Sequence, residues 1–377
     1  METRILAFFS EGFYDSHKVL LGKFVLMYNT HIQRLYELEK ELLKIGINGF
    51  GRIGRMILRA YYEKADAYND IEVVCINDLS DKKTNIHLLK HDSVHGSFKS
   101  NIKEVEEGIS INEKNIRMIS ERDPEKINWE LYGVDVVFEC SGVFTKKADA
   151  EKHIKSGAKR VIVSAPSDGA DITVVYGINH KNINDSHKVV SNGSCTTNCL
   201  APIAYLLDKK FGIENGFMTT IHSYTGDQRL IDAVHKDLRR ARAATLSMIP
   251  STTGAAKAIG LVLPNLNGKL AGASIRVPTA NVSLVNLDCT LSKPATVEQV
   301  NQLMKEAAEG ELKGVLGYND EPLVSCDFNH SELSSVFDST GTMAIDNKFC
   351  RVIAWYDNEF GFANRMLDVA QYIAAKR

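Results

Sequence analysis

The segment Leu43-Lys44-Ile45-Gly46-Ile47-Asn48-Gly49-Phe50-Gly51-Arg52-Ile53-Gly54-Arg55 decides the fold. Leu43 to Ile47 reads as a buried strand, and from Ile53 to Lys64 the apolar positions fall at helical spacing. Between them Gly49, Gly51 and Gly54 make a G-x-G-x-x-G turn. Glycines between a strand and a helix let the backbone approach a pyrophosphate, which then rests on the free N–H groups of the first helical turn. The pattern alone is weak, because a tight glycine turn needs no ligand. Asp78 strengthens it: it ends the next strand-like run, Ile71 to Asn77, and lies 24 residues beyond Gly54, close to the expected offset of about 20. A carboxylate there accepts hydrogen bonds from ribose hydroxyls and repels a 2′-phosphate, so the two features together favour NAD over NADP.

Working outward, Val134 to Glu139, Arg160 to Ser164 and Val174 to Gly177 read as further strands, with a helix from Lys146 to Ser156 between them. Short strands alternating with helices predict a doubly wound parallel sheet. After about residue 212 the strands lengthen, in GFMTTIHSY, LAGASIRVP and VSLVNLDCTL, and fewer helices separate them. The second half therefore reads as α+β with a mostly antiparallel sheet, and a long amphipathic helix closes the chain from Asn358 to Lys376. Before the first strand, Thr30-His31-Ile32-Gln33 forms a capping box followed by Ile32, Leu35, Leu38 and Leu42 at helical spacing.

The whole chain has 377 residues, 44% apolar and 24% charged, with 45 basic and 47 acidic side chains. That composition fits two globular domains and gives no basic excess for nucleic acid or anionic membrane. No run approaches the length of a membrane helix. The seven cysteines are odd in number and scattered through apolar runs, which fits a reducing compartment and a cytoplasmic location.

One cysteine stands apart. Ser191-Asn192-Gly193-Ser194-Cys195-Thr196-Thr197-Asn198 is small and polar and leads into an apolar helical run, which places Cys195 at a helix N-terminus. Free N–H groups and the helix dipole there would lower the thiol pKa towards neutrality. Cys75, Cys140, Cys289, Cys326 and Cys350 lie in or beside apolar runs and read as small buried hydrophobes. Cys199 follows Cys195 on the same helical face, without the further ligands a zinc site needs, and no metal is expected. A thiolate nucleophile needs a base, and His222 in TTIHSYTGDQ, after a strand and before a polar loop, has the best context of the histidines.

The stretches IGINGFGRIGR, SNGSCTTNCLAP, HSYTGDQ, LRRARAA, STTGAAKA, RVPTANVS and WYDNEFGFANR together resemble the phosphorylating glyceraldehyde-3-phosphate dehydrogenases of bacteria, in order and from about residue 43 to the end. The resemblance implies an NAD-binding domain over residues 44–194 and 358–377, a catalytic domain over 195–357, and an N-terminal extension over 1–43, for which Met27 is an alternative start. It implies that Cys195 attacks the aldehyde of glyceraldehyde 3-phosphate to give a thiohemiacetal. His222 moves the protons, NAD is reduced, and inorganic phosphate releases the resulting thioester as an acyl phosphate. Thr225, Asp227 and Arg276 match the site for the substrate phosphate, and Ser194, Thr196, Arg240, Thr253 and Gly254 that for inorganic phosphate. Arg52, Ile53, Arg122, Ser141, Gly142, Ser164 and Asn358 match cofactor positions, with Asn358 on the nicotinamide carboxamide and Tyr356 closing the ring pocket. The family pattern also implies a homotetramer, with the long loop before His222 buried between subunits.

Gly193 departs from the pattern, which usually has alanine there, and the extra backbone freedom is expected to cost about 0.5 to 1 kcal/mol of local order. Erythrose-4-phosphate dehydrogenase is the nearest rival; VSCDFNHS and GFANRMLD resemble it too, while HSYTGDQR, SAPSDGAD and STTGAAKA favour the glyceraldehyde enzyme. Asp78 argues against an NADP-dependent semialdehyde dehydrogenase. An RNA-binding role through the dinucleotide site finds no support in the near-neutral charge of -2.

Overall fold

The computed structural model describes residues 42–377; the helix expected to begin at Thr30 lies outside them. Strand β1 (Leu43–Asn48) and helix α1 (Arg52–Glu63) flank the glycine turn. Gly49 needs a positive φ, here +91°, and a Cβ on it would lie 2.5 Å from the Ser141 backbone N. At Gly54 a Cβ would come within 2.3 Å of the Gly49 carbonyl oxygen, so the turn and the helix pack backbone on backbone.

The chain continues through β2 (Ile71–Asn77), α2 (Lys82–Lys90) and a small hairpin, β3 (His91–Asp92) with β4 (Gly96–Ser97). A three-strand meander follows, β5 (Ile102–Val105), β6 (Gly108–Ile111) and β7 (Lys114–Ile119). Then come β8 (Val136–Glu139), α3 (Lys147–Lys155), β9 (Arg160–Val163), β10 (Ile172–Thr173) and β11 (Val189–Ser191). These strands form a nine-stranded sheet in the order β10-β11-β9-β8-β1-β2-β7-β6-β5. Every pair from β10 to β7 is parallel, and only the β7-β6-β5 edge is antiparallel. The parallel centre is buried on both faces, which is why its strands are almost uninterrupted runs of Val, Ile and Phe.

The expected strand from Val174 to Gly177 does not form. The strand ends at Thr173, with a last backbone bond from the Val174 N–H to the Ser191 carbonyl at 2.8 Å, because Ile178 and Asn179 turn back to the Val175 carbonyl and the Asn179 side chain accepts from the Val175 N–H. Val174 and Val175 are fully buried in this turn; their apolar character came from burial and not from pairing.

Helix α4 (Cys195–Phe211) opens the second half, followed by β12 (Ile213–Ser223). The long irregular segment follows His222 instead of preceding it. Residues 213–223 are bonded to neighbours on both sides as β12, whereas the next regular element, β13 (Ile249–Thr252), begins only at Ile249. After it come α5 (Ala255–Val262), β14 (Leu270–Val277), β15 (Ser283–Leu291), α6 (Val297–Glu309), β16 (Leu316–Asn319), β17 (Ser335–Ile345) and β18 (Phe349–Tyr356). They build a seven-stranded sheet, β13-β14-β12-β15-β18-β17-β16, antiparallel except at β12-β14 and β16-β17. The two-domain α/β arrangement is thus the one the sequence predicts.

The final helix, α7 (Phe360–Ala374), returns to the first sheet, where Phe360, Met366, Leu367, Val369, Ala370 and Ile373 share a core with Met56, Ile57 and Leu58 of α1. A second core lies between α4 and the second sheet. Cys195 packs against both. Of the five cysteines expected to be buried, Cys75, Cys289 and Cys350 are, Cys140 is half-buried, and Cys326 is exposed, because Ser325–Phe328 is a single surface turn that buries only Phe328; Cys199 is buried as well.

Candidate active site

The dinucleotide end of the parallel sheet holds a cleft of about 360 Å³ lined by Asn48, Gly49, Gly51, Asn77, Asp78, Leu79, Ser80, Glu121, Arg122, Cys140, Ser141, Val143 and Phe144. Gly51 has nothing within 4 Å of where a Cβ would stand, and α1 has no side-chain cap. The leading N–H groups of a helix have no intrahelical partner, so this turn suits an anion that only a glycine backbone lets close. Asp78 stands at the end of β2; one carboxylate oxygen accepts from the Phe50 N–H at 2.8 Å and the other from the Ser80 N–H at 2.9 Å. With Asn85 Nδ2 at 3.3 Å from the second oxygen, these bonds pin the carboxylate at the cleft wall and leave a lone pair on the first oxygen for a ribose hydroxyl. The chemistry of the cleft therefore fits NAD.

Two of the expected cofactor residues sit differently. The Arg52 guanidinium turns away from the phosphate position to bridge Asp92 (Nη1–Oδ2 2.5 Å) and Glu359 (Nε–Oε1 2.7 Å). What remains for a ligand is its backbone N–H in the first turn, beside that of Ile53, whose side chain packs on the first core. Although burial works the other way, Glu359 and Asp92 hold the Arg52 pKa above its ordinary value. Burial alone would raise Asp92, yet Arg52 and the N–H groups of His95 and Val94 bring it down to about 2. Ser164, at the end of β9, donates its N–H to the Glu139 carbonyl and is not part of the cleft wall.

Sequence reasoning missed the polar layer beneath the cleft. Glu139, fully buried, accepts from Asn48 Nδ2 at 2.6 Å, from the Ser141 N–H at 2.8 Å and from the Ser141 hydroxyl, and pairs with His153 Nε2 at 2.9 Å. Trp129 Nε1 donates to His153 Nδ1 at 3.0 Å, so the imidazole proton is on Nε2, facing the carboxylate. The signal was a single charged residue inside the apolar run VVFEC.

Cys195 is the first residue of α4. Ser194 caps the helix, its hydroxyl accepting the Thr197 N–H at 3.0 Å. Gly193, just before it, has φ +64°, a left-handed conformation that alanine adopts only with strain, so glycine is the better-suited residue here and the expected cost of its freedom is offset. From β12, His222 brings Nε2 to 3.5 Å from Cys195 Sγ. Parallel pairing of β12 with β14 sets His222 directly beside Arg276.

The His222 tautomer follows from its other nitrogen. Nδ1 lies 2.7 Å from the Ser223 carbonyl oxygen, which can only accept, so Nδ1 carries the proton and Nε2 offers its lone pair to the thiol. Arg276 Nη1, 3.0 Å from that Nδ1, then directs its own protons to the Ser223 carbonyl at 3.2 Å and the Thr225 hydroxyl at 3.5 Å. Burial and the nearby Arg276 charge push His222 down to about 3. The thiol differs from expectation: burial raises the Cys195 pKa, against the pull of Arg276 and the Thr196 N–H. At rest the pair is a neutral thiol and a neutral imidazole.

The residues matched to phosphate sites fall into two sets of contacts. Arg276 and Thr225 lie beside His222. Arg240 is held by Asp227 and donates through Nε and Nη2 to Ser251 Oγ at 2.9 and 2.7 Å. Asp227 thus holds the Arg240 guanidinium in place. Thr253 accepts the Ala255 N–H at 3.2 Å, and Gly254 is the exposed residue at the start of α5. Thr196 is buried, and its hydroxyl bonds Tyr356 at 2.9 Å. Tyr356 also reaches Thr220, and its ring stands edge-on to His222. Asn358 is turned by two serine hydroxyls, which donate to its Oδ1. Among the described residues no group of three or more His, Cys, Asp or Glu side chains could hold a metal, and no helix is long and apolar enough to cross a membrane.

Residues 43–147 match the family model for the glyceraldehyde 3-phosphate dehydrogenase NAD binding domain, and residues 194–358 match that for the C-terminal domain. Glyceraldehyde-3-phosphate dehydrogenase 1 of Bacillus cereus is 56% identical over 336 residues, 89% of this chain and 99% of the relative. The Geobacillus stearothermophilus enzyme of that name is 55% identical over 335 residues, again 89% and 99%. The Priestia megaterium enzyme is 54% identical over the same shares. With both halves matched and the relatives covered almost end to end, the chain belongs to the glyceraldehyde-3-phosphate dehydrogenase family.

Proposed function

We propose that Cys195 and His222 carry the reaction of this family, the NAD-dependent oxidation and phosphorylation of glyceraldehyde 3-phosphate to 1,3-bisphosphoglycerate in glycolysis and gluconeogenesis. The observation that carries the residue assignment is the 3.5 Å approach of His222 Nε2 to Cys195 Sγ at the start of α4. As Sγ attacks the aldehyde carbon, Nε2 takes the thiol proton and returns it to the new alkoxide, giving a thiohemiacetal. NAD, when bound, supplies the hydride acceptor for its oxidation. Nε2 then takes the hydroxyl proton as the thioester carbonyl forms. When inorganic phosphate attacks that carbonyl, the sulfur leaves as thiolate and regains its proton from His222. A substrate phosphate at Arg276 would neutralise the charge that holds the His222 pKa down, making it a better base once the site is filled.

The remaining assignments follow the same geometry. Arg276 and Thr225 bind the substrate phosphate, and Asp227 aims Arg240. Ser194, Thr196, Arg240, Thr253 and Gly254 serve inorganic phosphate, with Thr196 first releasing Tyr356. Gly49, Gly51, Gly54 and the N–H groups of Arg52 and Ile53 cradle the pyrophosphate, Asp78 holds a ribose, Arg122 flanks the adenosine side, and Asn358 holds the carboxamide. Residues 44–194 with 358–377 make the NAD domain and 195–357 the catalytic domain. The free state of all seven cysteines supports a cytoplasmic setting.

A homotetramer is supported by the segment after His222, where Leu230, Ile231, Val234, Leu238, Leu246 and Met248 are exposed, Val234 at 93%. So many large apolar side chains on one segment are characteristic of a surface that another chain covers.

Three measurements test these readings. NADH formation should require inorganic phosphate, show a higher kcat/KM for glyceraldehyde 3-phosphate than for erythrose 4-phosphate, and fall by a factor of about 10³ or more in Cys195→Ser; a preference for the four-carbon sugar would overturn the substrate assignment. The folded His222 pKa of about 3 lies below the unfolded value of about 6.5, so the unfolded chain binds more protons between them and stability is lost as pH falls. From pH 7 to 5 wild type should lose about 2 kcal/mol more than His222→Gln in chemical denaturation, and equal losses would contradict a buried neutral imidazole. In sedimentation velocity the wild type should run as a four-chain species that Val234→Asp with Leu238→Asp breaks into smaller ones; a monomeric wild type would remove the tetramer.

A further inference from the structure

Asn358 is buried, 6% exposed, immediately before the turn that starts α7. Its Oδ1 accepts two hydrogen bonds, from Ser223 Oγ at 2.7 Å and from Ser283 Oγ at 2.8 Å. These use both lone pairs of the amide oxygen. No protein hydrogen bond engages its Nδ2 among the described residues, so that end of the amide is left for a ligand.

The two serines are themselves fixed. Both are buried; Ser223 follows His222 at the end of β12, and Ser283 begins β15. The Ser223 N–H donates to Ser283 Oγ at 3.1 Å, which occupies a lone pair there and directs the Ser283 proton elsewhere, to Asn358. Just before Ser283, Val282 has φ +67°, a left-handed conformation that a β-branched residue adopts only under constraint. Such strain persists where surrounding structure over-determines it, and here it delivers a hydroxyl to the amide. The backbone on either side of Asn358 is held as well: Asp357 accepts from Asn281 Nδ2 at 2.8 Å and caps the Glu359 and Phe360 N–H groups.

We propose that Ser223 and Ser283 are positioning residues that lock one end of the Asn358 amide, so that only its other end can meet the nicotinamide carboxamide. One hydroxyl would leave the amide free to turn over, whereas two on the same oxygen hold it. The same strand end thereby sets both the base, His222, and the ring that must face the reacting carbon. The proposal rests on the reading of Asn358 as the carboxamide partner.

The test compares NAD with ADP-ribose, which lacks the nicotinamide, by titration calorimetry on the full chain. In Ser223→Ala with Ser283→Ala, NAD should bind about tenfold more weakly, the scale of one lost hydrogen bond, while ADP-ribose affinity stays within about twofold. Asn358→Ala should do the same. If the double variant no longer binds ADP-ribose, the single variants replace it, each expected to weaken NAD alone by about threefold. A second readout is the face of hydride transfer, read by NMR from NADH made with aldehyde-deuterated substrate: wild type should label one face and the double variant both. If Asn358→Ala weakens NAD selectively but the serine variants leave affinity and face unchanged, the locking role is overturned and the role of Asn358 stands. If Asn358→Ala leaves the ratio of NAD to ADP-ribose affinity unchanged, the reading of Asn358 fails and takes the proposal with it.

Discussion

The approach of Cys195 Sγ to His222 Nε2 is where the constraints of the molecule converge. One partner is held by the start of α4, the other by the end of β12, and these elements are placed by different forces. The helix start is local, fixed by the Ser194 cap and the left-handed turn at Gly193. The strand end depends on the register of the whole second sheet, because a slip of one residue would turn His222 to the opposite face and separate it from Arg276. Cys195 also touches both hydrophobic cores, so a disturbance in either reaches this thiol.

That position explains the electrostatics. Burial disfavours charge on both partners, and the proton rests on sulfur while the imidazole stays neutral. Arg276 Nη1 lies 3.0 Å from His222 Nδ1, and the Arg276 pKa is lowered by burial. A buried guanidinium with an unpaired Nε stores unmet demand for an anion, which is the property a phosphate site needs. In the proposed mechanism, chemistry and substrate binding are therefore coupled through a single side chain.

How much of this was legible depended on how local the cause was. The strand, the glycine turn and α1 were readable from Leu43 to Gly54 because the causes are local: Gly54 answers a contact inside that unit and Gly49 one with the chain just after β8, while Gly51 leaves the space beside it open. Cys195 was readable as a helix start because its cap lies one residue away. The pairing of His222 with Arg276 was not, since strand register brings together residues far apart in sequence. The Arg52 side chain was misplaced for the same reason: its partners, Asp92 and Glu359, come from a distant hairpin and from the last turn before α7. Val174 and Val175 misled because an apolar run signals burial, which a turn can supply as well as a strand. Ser223 and Ser283 carried no signal at all, being small polar residues whose roles arise only when two strand ends meet Asn358.

The most direct test is to mix the enzyme with NAD and glyceraldehyde 3-phosphate in the absence of inorganic phosphate, quench in acid, and map the modified peptides by mass spectrometry. The 3-phosphoglyceroyl group should be found on Cys195 and on no other cysteine, and added phosphate should discharge it. An acyl group on a different residue, or none at all while NADH still forms, would contradict the account.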